Sequence, residues 1–141
     1  MNEPTHYDII GDIHGRFDKL STLMERMGYA RDGDAFVPPA GHKALFLGDL
    51  IDPKPGYGMA GGVRSTLLAV QAMCDRGDAL CIMGNHELNA IYFHSKYPDG
   101  KWLRHHGSKN LRMHQGTLDD FPDYEDPAGE WLSVWMPWMK E

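Results

Sequence analysis

The chain has 141 residues and a formal charge of −6 with its histidines neutral, which is enough sequence for about one domain. Its apolar fraction of 42% is ordinary for a globular protein and argues against disorder. No basic run is interleaved with aromatic residues, so a dedicated nucleic-acid-binding protein is disfavoured and no nucleic-acid partner is expected.

Cysteine use and the N-terminal segment indicate a reducing compartment. Cys74 and Cys81 are the two cysteines, too few for a disulfide scaffold and not spaced as a zinc knuckle. The N-terminal residues lack a basic stretch followed by an apolar one, so no secretory signal is predicted. No apolar run approaches the ~20 residues of a membrane-spanning helix. We expect a cytoplasmic protein without a membrane partner, and the oligomeric state stays open.

Short apolar runs alternate with helical periodicity along the first two thirds of the chain. The patterns predict, in chain order, a strand at 6–10, a helix from Gly15 to Gly28, a loop at 31–42 with a short strand at 35–37, a strand at 44–47, a helix at 63–74, a strand at 78–83 and a helix from His86 to Ile91. Continuous apolar strands separated by helices favour a parallel sheet.

The last third predicts further helical structure. Residues 101–114 have helical character with a basic face, and Thr117 is expected to cap a short turn at 117–121. The tryptophan-rich segment 130–139 is interpreted as a packing surface. We expect His105, His106 and His114 on the solvated helix face, with contact to an anionic substrate as the alternative, and His42 and His94 at the surface.

All three principal strands are predicted to end in glycine followed by a polar side chain, in the motifs GDIHG at 11–15, GDLID at 48–52 and GNHE at 84–87. Ligands of parallel sheets bind beyond the carboxyl ends of the strands. Asp12 and His14 are two apart, so an extended backbone projects both to the same side. A carboxylate beside an imidazole is a common pair for a divalent metal.

These motifs, in this order and at these intervals, resemble the calcineurin-like metallophosphoesterases. The nearest branch contains the protein serine/threonine phosphatases and the bacterial symmetrical diadenosine tetraphosphatases. The resemblance implies an α/β protein: the amino-terminal half of a four-layer α/β/β/α fold, with a mainly parallel sheet built of βαβαβ units. Residues 1–141 are then expected to form a single, truncated metallophosphoesterase domain.

The resemblance also implies a metal centre with two ions. Asp12 and His14 would bind one metal, Asp49 would bridge both, and Asn85 would bind the second. Mixed oxygen and nitrogen ligands suit Mn, Fe or Zn better than calcium. Family members complete both metals with histidines from a second sheet, so here the second metal would have only Asp49 and Asn85. A chain without that sheet should also expose apolar surface.

By the same resemblance, His86 is the general acid and Asp52 holds its imidazole. Such a pair keeps the histidine in one tautomer and raises its basicity. Glu87 stays open between a role in supporting the site and that of an acid in the first turn of a helix.

One departure from the family pattern affects substrate binding. The family's second motif continues with an arginine that grips the phosphate, whereas Pro53 stands at this position. Lys54 carries a charge without the guanidinium fork, and Arg64 is the stronger candidate to replace it.

The sequence therefore predicts a metal-dependent phosphoesterase that hydrolyses phosphate monoesters or phosphoanhydrides through metal-activated water. Its partner would be a phosphorylated protein, nucleotide or small molecule. The alternatives are a dinucleoside polyphosphate hydrolase, or a catalytically dead module that binds metal or phosphate.

Overall fold

The computed structural model describes residues 3–141 as helices arranged around a three-stranded sheet. The elements in chain order are β1 (His6–Ile10), α1 (Phe17–Arg26), β2 (Ala30–Asp32), β3 (Ala35–Val37), β4 (His42–Phe46), α2 (Gly62–Asp75), β5 (Ala79–Cys81), α3 (Asn85–Phe93), α4 (Ser108–Asp120), a π-helical segment (Trp131–Trp135) and α5 (Met136–Lys140). No helix in this described range is long and apolar enough to span a membrane.

The main sheet has the strand order β1-β4-β5, and both pairs are parallel. Its register places Ile9 beside Leu45 and Leu45 beside Leu80. The connections run through α1 and through α2, because parallel neighbours need a crossover that a short turn cannot supply. The predicted α/β architecture with a parallel sheet is confirmed. The strands β2 and β3 form a separate antiparallel pair within the first connection.

One face of the sheet forms the core. Ile10, Ala44, Phe46 and Ala79 point to this face and are buried. They belong to one apolar cluster with residues of both crossover helices: Leu20, Met24, Leu67, Val70 and Met73. Burying a large apolar side chain stabilises a fold by roughly 1.5–3 kcal/mol. This packing fixes the strands whose carboxyl ends carry the polar motifs.

The opposite face of the same sheet is exposed. Tyr7, Ile9, Leu80 and Ile82 are 55%, 64%, 51% and 55% accessible. Side chains alternate along a strand, so these residues share the face opposite the core. The apolar surface expected from the sequence therefore lies on this sheet face.

The region after α3 differs from the sequence-based expectation. The predicted helix at 101–114 is wrong in its position, because α4 begins at Ser108 and continues to Asp120. His106 stacks on Phe93 and on Trp102, with ring centroids 3.9 and 4.2 Å away. This aromatic sandwich holds the preceding segment against α3 and outside a helix. Thr117 consequently lies within α4, and its predicted capping role is wrong.

Candidate active site

The loops after β1, β4 and β5 converge at one edge of the sheet. The backbone N–H groups of Ile13 and His14 donate to the Asp49 carbonyl at 3.1 and 2.9 Å. Gly48 approaches Gly84 so closely that a Cβ atom there would collide with the Gly84 backbone. Glycine is required at this contact because any side chain would separate the two loops.

Asp12, His14 and Asp49 form a cluster that suits a divalent cation. One ligand atom from each residue lies within 4.8 Å of the others. Nδ1 of His14 lies 2.9 Å from the Ile51 carbonyl, which can only accept a hydrogen bond. The proton is therefore on Nδ1, and the lone pair on Nε2 is available to a metal. That Nε2 atom lies 3.4 Å from Oδ2 of Asp12.

Asn85 adds an amide to this cluster. Its amide group lies 2.9 Å from Oδ2 and 3.0 Å from Oδ1 of Asp49. With its NH₂ toward Asp49, the amide donates to the carboxylate. In the reverse orientation, the amide oxygen faces the carboxylate oxygens of Asp49 and repels them. A cation bound to both groups would stabilise that orientation. The amide is thus placed to serve as a further oxygen ligand.

The backbone is strained at three of these positions. His14, Asp49 and Asp52 have φ values of 49°, 51° and 63°, and they are the non-glycine residues with positive φ in the described range 3–141. L-residues rarely adopt this region, and such strain clusters at functional sites.

Glu87 ties two of the loops together. Its carboxylate is 3% exposed and accepts from the backbone N–H groups of Asp49, Leu50 and Gly84 at 2.6, 2.9 and 2.9 Å. Burial raises the pKa of Glu87, although these hydrogen bonds act in the opposite direction. The residue occupies the first turn of α3 and also supports the Asp49 loop, so both interpretations left open by the sequence hold.

His86 and Asp52 form a hydrogen-bonded pair beside the metal ligands. Nδ1 of His86 donates to Oδ2 of Asp52 at 3.0 Å. The ring centroids of His86 and His14 are 4.7 Å apart. The hydrogen bond to Asp52 raises the pKa of His86. Because Nδ1 is engaged, Nε2 is the atom left to exchange a proton with a substrate.

The structure adds His114 and Thr117 to this pair, which the sequence analysis missed. His114 is 4% exposed, so its predicted place on a solvated face is wrong. Its Nδ1 donates to Oδ1 of Asp52 at 2.6 Å, and the Thr117 hydroxyl donates to the same oxygen at 2.6 Å. Burial alone would raise the pKa of Asp52, but hydrogen bonds from His114, His86 and Thr117 lower it to about 2.

His94 lies behind His114 and is also misplaced by the sequence analysis. Nε2 of His94 is 3.0 Å from Nε2 of His114. The predicted surface position of His94 is wrong, because its ring packs against Phe93, His114, Tyr124 and Trp131. Burial and the neighbouring His114 and His106 lower the pKa of His94 to about 3. His94 is therefore neutral over the physiological range.

A cleft of about 690 Å³ opens beside these groups. Its polar wall includes Asp12, His14, Asp52 and His86. The remaining wall is cationic and apolar, formed by Arg16, Lys19, Lys54, Leu20, Leu23, Pro53, Pro55, Tyr57 and Met113, among others. The cleft thus borders the metal cluster on the side of α1.

Of the two predicted phosphate-binding residues, only one borders this cleft. Lys54 lines it, and its Nζ lies 5.3 Å from the Tyr57 ring centroid. Arg64 instead donates from Nε to Glu130 at 2.9 Å, so its expected role in phosphate binding would require this ion pair to break. Arg16 and Lys19 also line the cleft and were missed, and Arg16 is itself paired with Asp18 at 2.8 Å, so it too would exchange an ion pair for a phosphate. In the sequence, Arg16 follows the GDIHG motif directly and Lys19 comes three residues later. This position could have indicated both residues, because the first turn of α1 borders the end of β1.

The parallel α/β fold and the candidate metal ligands at its strand ends are typical of one protein family. The chain matches the calcineurin-like phosphoesterases over residues 5–138 and belongs to that family. The family implies divalent metal at the site, and the donor set of two carboxylates, an imidazole and an amide fits such an ion.

Similar proteins include asymmetrical bis(5'-nucleosyl)-tetraphosphatases named PrpE. The protein of Anoxybacillus flavithermus is 36% identical over 80 residues, or 57% of this chain and 30% of that protein. Those of Geobacillus thermodenitrificans and Bacillus cereus strain Q1 are 38% and 43% identical over 87 and 86 residues, covering 62% and 61% of this chain. The matches span 33% and 32% of those two relatives, so the chain corresponds to about a third of their length.

Proposed function

We propose that this site hydrolyses phosphate ester or phosphoanhydride bonds. The observation that carries the proposal is the cluster of Asp12, His14 and Asp49 beside a histidine, His86, whose second nitrogen is held by a buried carboxylate. A metal-ligand set adjacent to a positioned proton donor is what direct hydrolysis by water requires. No covalent phosphoenzyme is needed.

Metal binding and proton donation are assigned to different residues. Asp12, His14, Asp49 and Asn85 would hold two divalent ions of Mn, Fe or Zn, which supply an activated water and neutralise phosphoryl oxygens when bound. His86, as an imidazolium with hydrogen on both ring nitrogens, gives its Nε2 proton to the oxygen that leaves phosphorus, as the water oxygen forms the new P–O bond. His86 then recovers a proton from solvent. Manganese as the native ion and a cytoplasmic location stay predictions.

A dinucleoside polyphosphate is the second candidate for the substrate class. The cleft places the cations Arg16, Lys19 and Lys54 next to an apolar wall that includes Tyr57. Such a wall suits a nucleoside, while the cations suit phosphates beyond the one attacked. The names of the PrpE relatives favour the same class, although they specify the asymmetrical type rather than the symmetrical one of the initial resemblance.

The test is hydrolysis by the purified chain, with Mn, Zn or Fe(II) supplied separately. We expect metal-dependent turnover of p-nitrophenyl phosphate and its loss in Asp49→Asn, whereas His86→Ala should lose turnover of phenyl phosphate, whose leaving group needs a proton. The matched control is His105→Asn, an exposed histidine outside the cleft. A panel of diadenosine tetraphosphate, a phosphopeptide and phenyl phosphate then separates the substrate classes. Manganese binding without turnover would support the dead module, and equal turnover of phenyl phosphate by the parent chain and His86→Ala would reject the role of His86.

A further inference from the structure

Four side chains form a continuous hydrogen-bonded chain from the cleft to the interior. Nδ1 of His86 reaches Oδ2 of Asp52 at 3.0 Å. Oδ1 of Asp52 accepts from Nδ1 of His114 at 2.6 Å. Nε2 of His114 meets Nε2 of His94 at 3.0 Å. The inner half of this chain, His114 and His94, has no place in the hydrolysis described above.

The orientation of the Asp52 carboxylate is set from α4. His114 and Thr117 are three residues apart on that helix, and both donate to Oδ1 of Asp52. The Thr117 hydroxyl also accepts from the Asp52 backbone N–H at 2.9 Å. These contacts fix the plane of the carboxylate, since a carboxylate with one partner would rotate about its terminal bond. The other oxygen, Oδ2, is thereby directed at His86.

The acceptor atoms determine which ring nitrogens carry hydrogen in these four hydrogen-bonded side chains. An ionised carboxylate can only accept, so Nδ1 of both His86 and His114 must carry hydrogen. A neutral His114 then presents a lone pair at Nε2, and the Nε2–H of His94 donates to it. The partly buried His94 thus has the proton that this arrangement needs, and the tautomers of all three histidines are mutually consistent.

We propose that His114, supported by His94, is a positioning residue that orients Asp52 and, through it, the proton-donating nitrogen of His86. The proposal rests on the proposed hydrolytic function for its effect on rate. It goes beyond that function because it gives His114, on α4, an effect on proton donation by His86. A histidine that only packed in the core would have no such effect.

The first experiment compares substrates that differ in how much they need a proton. Phenoxide is a poor leaving group and depends on a general acid, whereas p-nitrophenoxide does not. We expect His114→Leu to reduce kcat for phenyl phosphate about tenfold more than kcat for p-nitrophenyl phosphate, with KM unchanged. His114→Asn keeps a donor near the Nδ1 position and should recover most of the rate. Equal losses on both substrates would overturn the proposal.

A double variant tests whether His114 acts through His86. In a His86→Ala background, His114→Leu should cause no further loss on phenyl phosphate, because the group that it orients is already absent. Independent, multiplicative losses would contradict a positioning role. Thermal unfolding of every variant, together with the exposed control His105→Asn, accounts for any general loss of folded protein.

A second measurement does not depend on turnover. Imidazole ¹⁵N resonances report which ring nitrogen carries hydrogen. At a pH at which the His86 ring is neutral, we expect it to be the Nδ1–H tautomer in the parent chain and in His114→Asn, and a mixture of tautomers in His114→Leu, so that in the parent chain Nε2 is the nitrogen that gains and gives up a proton. An unchanged His86 tautomer in His114→Leu would overturn the proposal. If the parent chain shows this pattern without hydrolysing any ester, the proposed function fails while the positioning role of His114 stands.

Discussion

Oε1 of Glu87 lies 2.6 Å from the backbone nitrogen of Asp49. This buried contact connects the first turn of α3 to the loop that carries a central metal ligand. The same oxygen accepts from Gly84, and Oε2 accepts from Leu50, so one carboxylate satisfies three backbone donors. The position of Asp49 thus depends on a residue that offers no atom to the metal cluster.

Replacing this carboxylate should weaken metal binding. Glu87→Gln exchanges one acceptor oxygen for an NH₂ group that faces backbone N–H donors. Residues that orient metal ligands typically contribute 10- to 100-fold in affinity, and we expect a loss of about that size for Mn²⁺ in calorimetry. The control is Glu125→Gln at an exposed position. Unchanged affinity in Glu87→Gln would show that Asp49 holds its place without this contact.

Metal addition should stabilise the folded chain. A ligand that binds only the native state adds about 2.7 kcal/mol at 100 times its Kd, so Mn²⁺ should raise Tm by several degrees. We expect Asp49→Asn to remove most of this shift, because Asp49 offers a ligand atom within 4.8 Å of those of Asp12 and His14 and faces the amide of Asn85. Asp34→Asn, exposed in the turn between β2 and β3, should retain it. Equal shifts in both variants would locate the metal elsewhere.

The stability of the chain should fall as the pH is lowered below neutrality. His94 has a pKa of about 3 in the folded state, against 6.5 for an unperturbed histidine. Between these values the unfolded chain binds the extra proton, so stability is complete above about pH 6.5 and declines as the pH falls toward 3. His94→Gln keeps an Nε2 donor toward His114 and does not titrate.

Thermal unfolding between pH 7 and pH 4 checks this dependence. The decrease in Tm over that interval should be smaller in His94→Gln than in the parent chain, whereas the exposed variant His105→Gln should follow the parent. Parallel curves for His94→Gln and the parent would mean that His94 does not titrate in this way. Asp52, with a folded pKa of about 2, contributes further loss only at the acidic end.

The cations of the cleft should matter most for large anionic substrates. Arg16 and Lys54 both line the cleft. We expect Arg16→Ala with Lys54→Ala to raise KM for diadenosine tetraphosphate about tenfold, with a smaller effect on p-nitrophenyl phosphate, because the latter has one phosphate to bind. Arg76→Ala removes an exposed arginine paired with Asp32 and serves as the control. A uniform change across both substrates would argue against a polyphosphate subsite.

Local pattern was sufficient to predict the sheet and its strand ends. Ile10, Phe46 and Ala79 lie in short apolar runs, and the glycine-acid motifs follow the first two strands directly, so periodicity and turn chemistry placed the candidate ligands. The contacts of α4 were not predictable in this way. His114 and Thr117 meet Asp52 across 62 and 65 residues of sequence, and a histidine buried against a distant carboxylate has the same local pattern as one on a solvated helix.

The left-handed backbone at Asp49 and Asp52 costs folding free energy at two positions that carry functional carboxylates. Strain of this kind costs of order 1–3 kcal/mol at each position, and glycine would relieve it. Asp49→Gly and Asp52→Gly should therefore tolerate heat better than the matched Asp49→Ala and Asp52→Ala variants, which lose the same carboxylates but keep a side chain on the strained backbone. The aspartates at these two positions thus combine a strained backbone with carboxylates whose hydrogen bonds hold the loops together and which the proposed hydrolysis requires.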